Sequence, residues 1–221
     1  MAELSDQLRN ATFYGILDTG YVARENIFEK CRQLLASGAK IVQLRAKKES
    51  EAEKRELALE ILPLFKTANA PFFIINDSPE LTAEICRLIP NAGLHVGQDD
   101  MPPREARKLI GKNRVLGLST HSPEQADAAD ELRGILDYFA VGPVYATNTK
   151  PGRKPVGLGL VEYVAGKKTF LPWFAIGGVN KKTARAVRSA GAERIVAVSD
   201  VLVAPDTEIA VKELVAEFLG P

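Results

Sequence analysis

The chain alternates short, almost continuous apolar runs with longer amphipathic stretches. The short runs cover 12–17, 40–44, 72–75, 93–96, 115–118, 136–141, 173–176 and 194–198. They are rich in Val, Ile and Phe, the pattern of strands covered on both faces. The intervening stretches read as helices over 25–35, 50–66, 79–88, 102–110, 123–132, 158–165, 180–190 and 207–218. The first helix places Ile27, Phe28, Cys31, Leu34 and Leu35 on one face, and the second buries Leu57, Leu59, Ile61, Leu62 and Phe65. Ser78 before Pro79, Ser122 before Pro123, and Asn180 mark helix starts, whereas Gly38 and Gly191 stand where helices should stop.

About eight strand–helix units in 221 residues predict a single-domain (β/α)8 TIM barrel, for which about 250 residues are typical and about 200 are the lower end. An open doubly wound sheet usually has fewer strands and a glycine-rich loop after the first. Here the first strand ends Leu17-Asp18-Thr19-Gly20, without that loop. No linker divides the chain, so one domain is expected over 1–221, with a short polar N-terminal extension of about 1–11.

The formal net charge of +1 favours neither nucleic acid nor an anionic membrane, so any anion site must be local. Cys31 and Cys86 lie far apart in helical segments and offer neither a disulfide framework nor a metal spacing. The first ten residues lack the apolar segment of a signal peptide, and no apolar run approaches the ~20 residues that span a bilayer. A cytoplasmic protein acting on small molecules is expected; its oligomeric state is left open, a homo-oligomer included.

Active sites of such barrels gather at the C-terminal ends of the strands. Strand two ends Gln43-Leu44-Arg45-Ala46-Lys47, and alternation turns Gln43, Arg45 and Lys47 away from the helices. An inward arginine is costly unless an anion meets it. Strand three ends Asn76-Asp77, strand four runs His95-Val96-Gly97-Gln98-Asp99-Asp100, and strand five ends Ser119-Thr120-His121. Strand six leads into Gly142-Pro143, then Thr147, Asn148, Thr149, Lys150 and Pro151. Strands seven and eight end in Gly177-Gly178 and Val198-Ser199-Asp200.

Asp77 and Asp100 could share Mg2+, which is usually held by one or two carboxylates plus substrate phosphates. Arg45, Lys47 and Lys150 could neutralise the remaining phosphate charge. The ends of strands seven and eight often hold a phosphate through backbone N–H groups. Two anion sites, one with a metal, suggest two phosphorylated substrates and a transferase.

Each residue also has a purely structural reading. Asp77 and Asp99-Asp100 precede proline-headed helices and could serve as caps. Arg45 could pair with a core carboxylate, His95 could be a hydrogen-bonded core histidine, and His121 could merely open a helix. Gly177-Gly178 could be only a tight turn. Their joint occurrence at one end of one barrel favours a site.

The ordered pieces Val42-Gln43-Leu44-Arg45-x-Lys47, Ile75-Asn76-Asp77, Leu94-His95-Val96-Gly97-Gln98-Asp99-Asp100-Met101-Pro102 and Gly117-Leu118-Ser119-Thr120-His121-Ser122 form a specific pattern. It continues through Val141-Gly142-Pro143-Val144-Tyr145-x-Thr147-x-Thr149-Lys150-Pro151, Ala175-Ile176-Gly177-Gly178-Val179 and Val196-Ala197-Val198-Ser199. With these motifs the chain resembles the thiamine-phosphate synthase (pyrophosphorylase) family from about Tyr14 to Val201.

The resemblance implies a (β/α)8 enzyme that joins hydroxymethylpyrimidine diphosphate to a thiazole phosphate. By matching motif, Gln43, Arg45, Lys47, Asn76, Ser119 and Lys150 would hold the pyrimidine diphosphate, and Asp77 and Asp100 would hold Mg2+. Thr147, Asn148, Thr149, Gly178, Val198 and Ser199 would hold the thiazole phosphate. Arg45 and Lys150 would stabilise the departing diphosphate, and no protein nucleophile is required. The chain carries Ala46 where the family commonly has an acid, Ala146 where it has proline, and Asp99 for a frequent Glu. Asp200 replaces a small residue and would repel a phosphate if it faced inward. A related thiazole tautomerase would keep the thiazole-phosphate site but has no use for the diphosphate site. A non-catalytic barrel binding a thiamine precursor is the other alternative.

Overall fold

The computed structural model describes residues 2–67, 70–147 and 154–220, with only the backbone for 2–5. Eight parallel strands close into a barrel in sequence order, β1 pairing with both β2 and β8. The strands are β1 (Phe13–Asp18), β2 (Ile41–Arg45), β3 (Phe72–Asn76), β4 (Ala92–Val96), β5 (Val115–Thr120), β6 (Tyr138–Val141), β7 (Trp173–Ile176) and β8 (Ile195–Ala197). The helices are α1 (Ala2–Arg9), α2 (Ile27–Ala36), α3 (Glu51–Ile61), α4 (Pro79–Leu88), α5 (Pro103–Ile110), α6 (Pro123–Glu131), α7 (Gly157–Gly166), α8 (Ala184–Ser189), α9 (Ser199–Leu202) and α10 (Thr207–Leu219). The architecture is the expected single-domain (β/α)8 barrel.

Helix α2 packs on β1 and β2, and α10 packs on α2 and α8. Ile27, Cys31 and Leu34 form the buried face of α2, while Phe28 is largely exposed and Leu35 lies at the margin. Helix α3 opens with a capping box between Ser50 and Glu53. It ends earlier than its apolar pattern predicts, because Pro63 supplies no N–H, and Leu62–Phe65 continue as a 3-10 turn. Leu59 is only partly buried, and Ala58 takes its place in the core.

The serine and asparagine start signals have different outcomes. Ser122 caps α6 by accepting from Gln125 N at 3.3 Å. Ser78 stands at the cap position of α4, but its hydroxyl donates to Glu51 at 3.2 Å instead. Asn180 does not begin α8; its side-chain oxygen accepts from Lys182 N at 2.9 Å, and the resulting turn delays the helix to Ala184. Gly38 and Gly191 adopt positive φ as helix stops.

Inside the barrel, Tyr14, Tyr138 and Phe174 meet edge to face with ring centres 5.5–5.7 Å apart. Gly117, the register partner of Tyr138, makes this possible, since a Cβ there would sit 2.1 Å from Tyr138 Cζ. Burial pushes the Cys31 thiol up to about 12 and raises Cys86 as well, so both stay protonated. Among the described residues, no helix is long and apolar enough to cross a membrane.

Candidate active site

The C-terminal strand ends surround a cavity of about 140 Å3, lined among others by Gln43, Arg45, Asn76, Ser119, Gly178 and Ser199. Arg45 closes β2 beside Asp18, its register partner at the end of β1. Their side chains pair at 2.6 Å, with Asp18 only 2% exposed. The other Asp18 oxygen accepts from Gly20 N at 2.9 Å. The anion that meets the inward arginine within the chain is therefore a core carboxylate. Arg45 also lines the cavity wall, where a guanidinium, with five donors in all, suits an anion.

Gln43 and Ser119 belong to a buried network. Gln43 Nε2 donates to the Tyr14 hydroxyl at 2.6 Å, and the Tyr14 and Tyr138 hydroxyls lie 2.8 Å apart. His95 bridges Tyr138 through Nδ1 and Ser119 through Nε2, each at 2.9 Å. The reading of His95 as a hydrogen-bonded core histidine holds, although the ring also lines the cavity. Burial raises the pKa of both phenols, so they remain hydroxyl donors.

Asp77, Asp100 and Lys47 lie outside the residues that line this cavity. Asp77 adopts φ 57°, its N–H donates to the His95 carbonyl at 2.9 Å, and its carboxylate pairs with Lys47. Asp100 turns back to accept from Gly97 N at 2.7 Å, just past β4. Neither carboxylate acts as a helix cap: α4 and α5 have Ser78 and Pro102 at their cap positions.

Among the described residues, no group of three or more His, Cys, Asp and Glu side chains forms a metal cluster. Two hard oxygen donors at the ends of neighbouring strands nevertheless suit Mg2+, which normally completes its coordination with phosphates and water. The donor chemistry fits.

The opposite rim is built from backbone. Gly177 and Gly178 have φ of 102° and 64°, and a Cβ on Gly178 would lie 2.6 Å from Tyr145 Cβ. Val144 N and Tyr145 N extend the β6–β7 pairing to the Ile176 and Gly177 carbonyls, at 2.8 and 3.0 Å. Val156 N returns to Pro143 O at 2.8 Å, so both limbs of the loop after β6 are tied at its base. Thr147, Val198 and Ser199 line this side. Asn148, Thr149 and Lys150 lie outside the described residues.

His121 Nδ1 donates to the Gly142 carbonyl and also faces the cavity. Asp200 is exposed at the rim; Lys181 is held in its charged form chiefly by its pairing with Glu213, to which Asp200 adds a lesser attraction.

Tyr14, Asp18 and Tyr138 are the residues missed from sequence. The alternation of β1 offered a signal for two of them, since Tyr14, Ile16 and Asp18 share one face of the strand.

The family model described as thiamine monophosphate synthase matches residues 13–201. The chain belongs to the thiamine monophosphate synthase family. It is 44% identical over 202 residues to the thiamine-phosphate synthase of Arthrobacter sp. (strain FB24), covering 82% of this chain and 83% of that protein. It is 41% identical over 196 residues to a thiamine-phosphate synthase of Thermus thermophilus, covering 89% and 91% of the two chains. The solved thiamine phosphate pyrophosphorylase from Pyrococcus furiosus superposes with a TM-score of 0.73 at 27% identity, covering 98% of this chain and all of that one. Neither the tautomerase nor the binding-only alternative finds support.

Proposed function

We propose that this thiamine-phosphate synthase transfers the hydroxymethylpyrimidine group from its diphosphate to a thiazole phosphate in a Mg2+-dependent reaction that releases diphosphate. With a carboxylated thiazole, CO2 would leave as well. The observation that carries this reading is the union, at one barrel mouth, of a cation–carboxylate side and a glycine-lined backbone side.

Asp77 and Asp100 would hold the metal, which would offset negative charge on the leaving diphosphate. Arg45 and Lys47 would bind the same diphosphate, with Lys150 as a further cation from the loop after β6. Gln43, Asn76 and Ser119 would orient the pyrimidine substrate. Gly178, Val198 and Ser199, joined by Thr147, Asn148 and Thr149, would anchor the thiazole phosphate.

In the reaction, the bond from the pyrimidine methylene to the diphosphate oxygen breaks and its electron pair leaves with the diphosphate. The electron-rich aminopyrimidine spreads the resulting positive charge. The thiazole nitrogen then forms the new bond with its lone pair. Holding both rings in line supplies much of the acceleration, and no side chain has to become covalently attached. A cytoplasmic setting belongs to the same reading.

Purified protein given both substrates and Mg2+ should release diphosphate and thiamine phosphate together. Demonstrated binding of both substrates without product would overturn the reaction.

A further inference from the structure

Gln43, Tyr14, Tyr138, His95 and Ser119 form an unbroken hydrogen-bond chain across the barrel from β2 to β5. All five side chains are buried; Tyr14, Gln43, His95 and Ser119 also line the cavity, and the chain ends there at Ser119. Tyr138 does not line the cavity. Its place is secured by Gly117, which leaves room for the ring, and by edge contacts to Tyr14 and Phe174.

The direction of the chain follows from which groups can donate. Gln43 Nε2 carries only protons to give, so the Tyr14 oxygen accepts. Tyr14 then donates its O–H to the Tyr138 oxygen, and Tyr138 donates to His95 Nδ1. A neutral imidazole that accepts at Nδ1 carries its proton on Nε2, and that proton points to Ser119 Oγ. Each hydrogen bond along this path then has one donor and one acceptor, and a chain running one way gains from mutual polarisation.

We propose that Tyr138 is a positioning residue: it holds His95 as the Nε2–H tautomer and so frees the Ser119 hydroxyl to donate to an acceptor on the pyrimidine diphosphate. The inference rests on the assignment of Ser119 to the pyrimidine side of the synthase reaction. The reverse direction would require the Gln43 amide to turn and accept from Tyr14. His95 would then carry its proton on Nδ1, and the serine proton would be spent on Nε2. The two directions differ in which His95 nitrogen bears hydrogen.

The chain contains two histidines, which makes the measurement direct. Full-length protein labelled with 15N-histidine is examined by NMR without ligand, and His121→Gln identifies the His95 signals. The wild type should show hydrogen on Nε2. Tyr138→Phe keeps the ring, and should let the Nδ1–H tautomer appear. Its kcat/KM for the pyrimidine diphosphate should fall about tenfold, the value of one buried hydrogen bond, with KM for the thiazole phosphate unchanged.

Hydrogen on Nδ1 in the wild type would overturn the proposal, and needs no variant to fold. So would an unaltered tautomer or unaltered kcat/KM in folded Tyr138→Phe. A wild-type protein with Nε2–H and no turnover would instead defeat the synthase reading, so the two failures are distinguishable.

Discussion

The two sides of the cavity are organised by opposite means. Around β1, β2, β4, β5 and β6, polar side chains hold one another: Asp18 against Arg45, and Gln43 through Tyr14, Tyr138 and His95 to Ser119. Around β7, the shape comes from Gly177 and Gly178, whose positive φ and close neighbours leave no room for a Cβ. The first side is preorganised by partners already present, so it should break when a group is deleted. The second is preorganised by the lack of a Cβ, so it should break when an atom is added.

The largest effect is expected at Arg45. Arg45→Met would strand the buried Asp18 carboxylate without its counter-charge, a change that typically costs about 3–5 kcal/mol. Lys47→Met provides the contrast. Lys47 is 46% exposed against Asp77, so losing that pair should cost less than about 1 kcal/mol. Both variants should raise KM for the pyrimidine diphosphate, but only Arg45→Met should lower the urea midpoint strongly. Equal midpoints would show that the Asp18–Arg45 pair does not organise its side of the cavity.

A smaller effect is expected from adding a methyl group opposite. Gly178→Ala would force an L-residue into φ 64° and bring its Cβ to 2.6 Å from Tyr145 Cβ. Overpacking of this kind costs about 1–3 kcal/mol. The displaced loop base should raise KM for the thiazole phosphate about tenfold, the kinetic equivalent of about 1.4 kcal/mol, while sparing KM for the pyrimidine diphosphate. Steady-state kinetics with each substrate varied in turn would decide. A matching rise in both KM values would merge the two sides into one.

The same contrast explains how much could be read from the chain before its fold was known. The eight strands were visible because runs buried on both faces carry their own signal, independent of what packs on them. Gln43, Arg45 and Ser119 stood out because a polar residue at an otherwise apolar strand end is unusual. Tyr14 and Tyr138 did not stand out, since an aromatic residue in a strand reads as core. Their hydroxyl partnership spans 124 residues of chain and exists only once the barrel closes. The pairing of Arg45 with Asp18 likewise depends on the β1–β2 register. Local backbone competition moved the edges of helices: Pro63 cut α3 short, and the Asn180 turn delayed α8.

Asp77 tests the comparison most gently, because it joins a special backbone conformation to a side-chain role. At φ 57° its backbone occupies the left-handed region, where Asn and Asp are tolerated far better than most residues. Asp77→Ala would therefore mix backbone strain with loss of charge. Asp77→Asn keeps the conformation and removes only the charge that faces Lys47. Its stability should change by less than about 1 kcal/mol, since the pair is partly exposed. Binding of the pyrimidine diphosphate in the presence of Mg2+ should nevertheless weaken about tenfold, the kind of loss worth about 1.4 kcal/mol. Thiazole phosphate binding should stay at the wild-type level. Calorimetric titration with each ligand, with and without Mg2+, separates these outcomes. If Asp77→Asn weakened diphosphate binding equally in both conditions, Asp77 would be acting through Lys47 rather than through a metal.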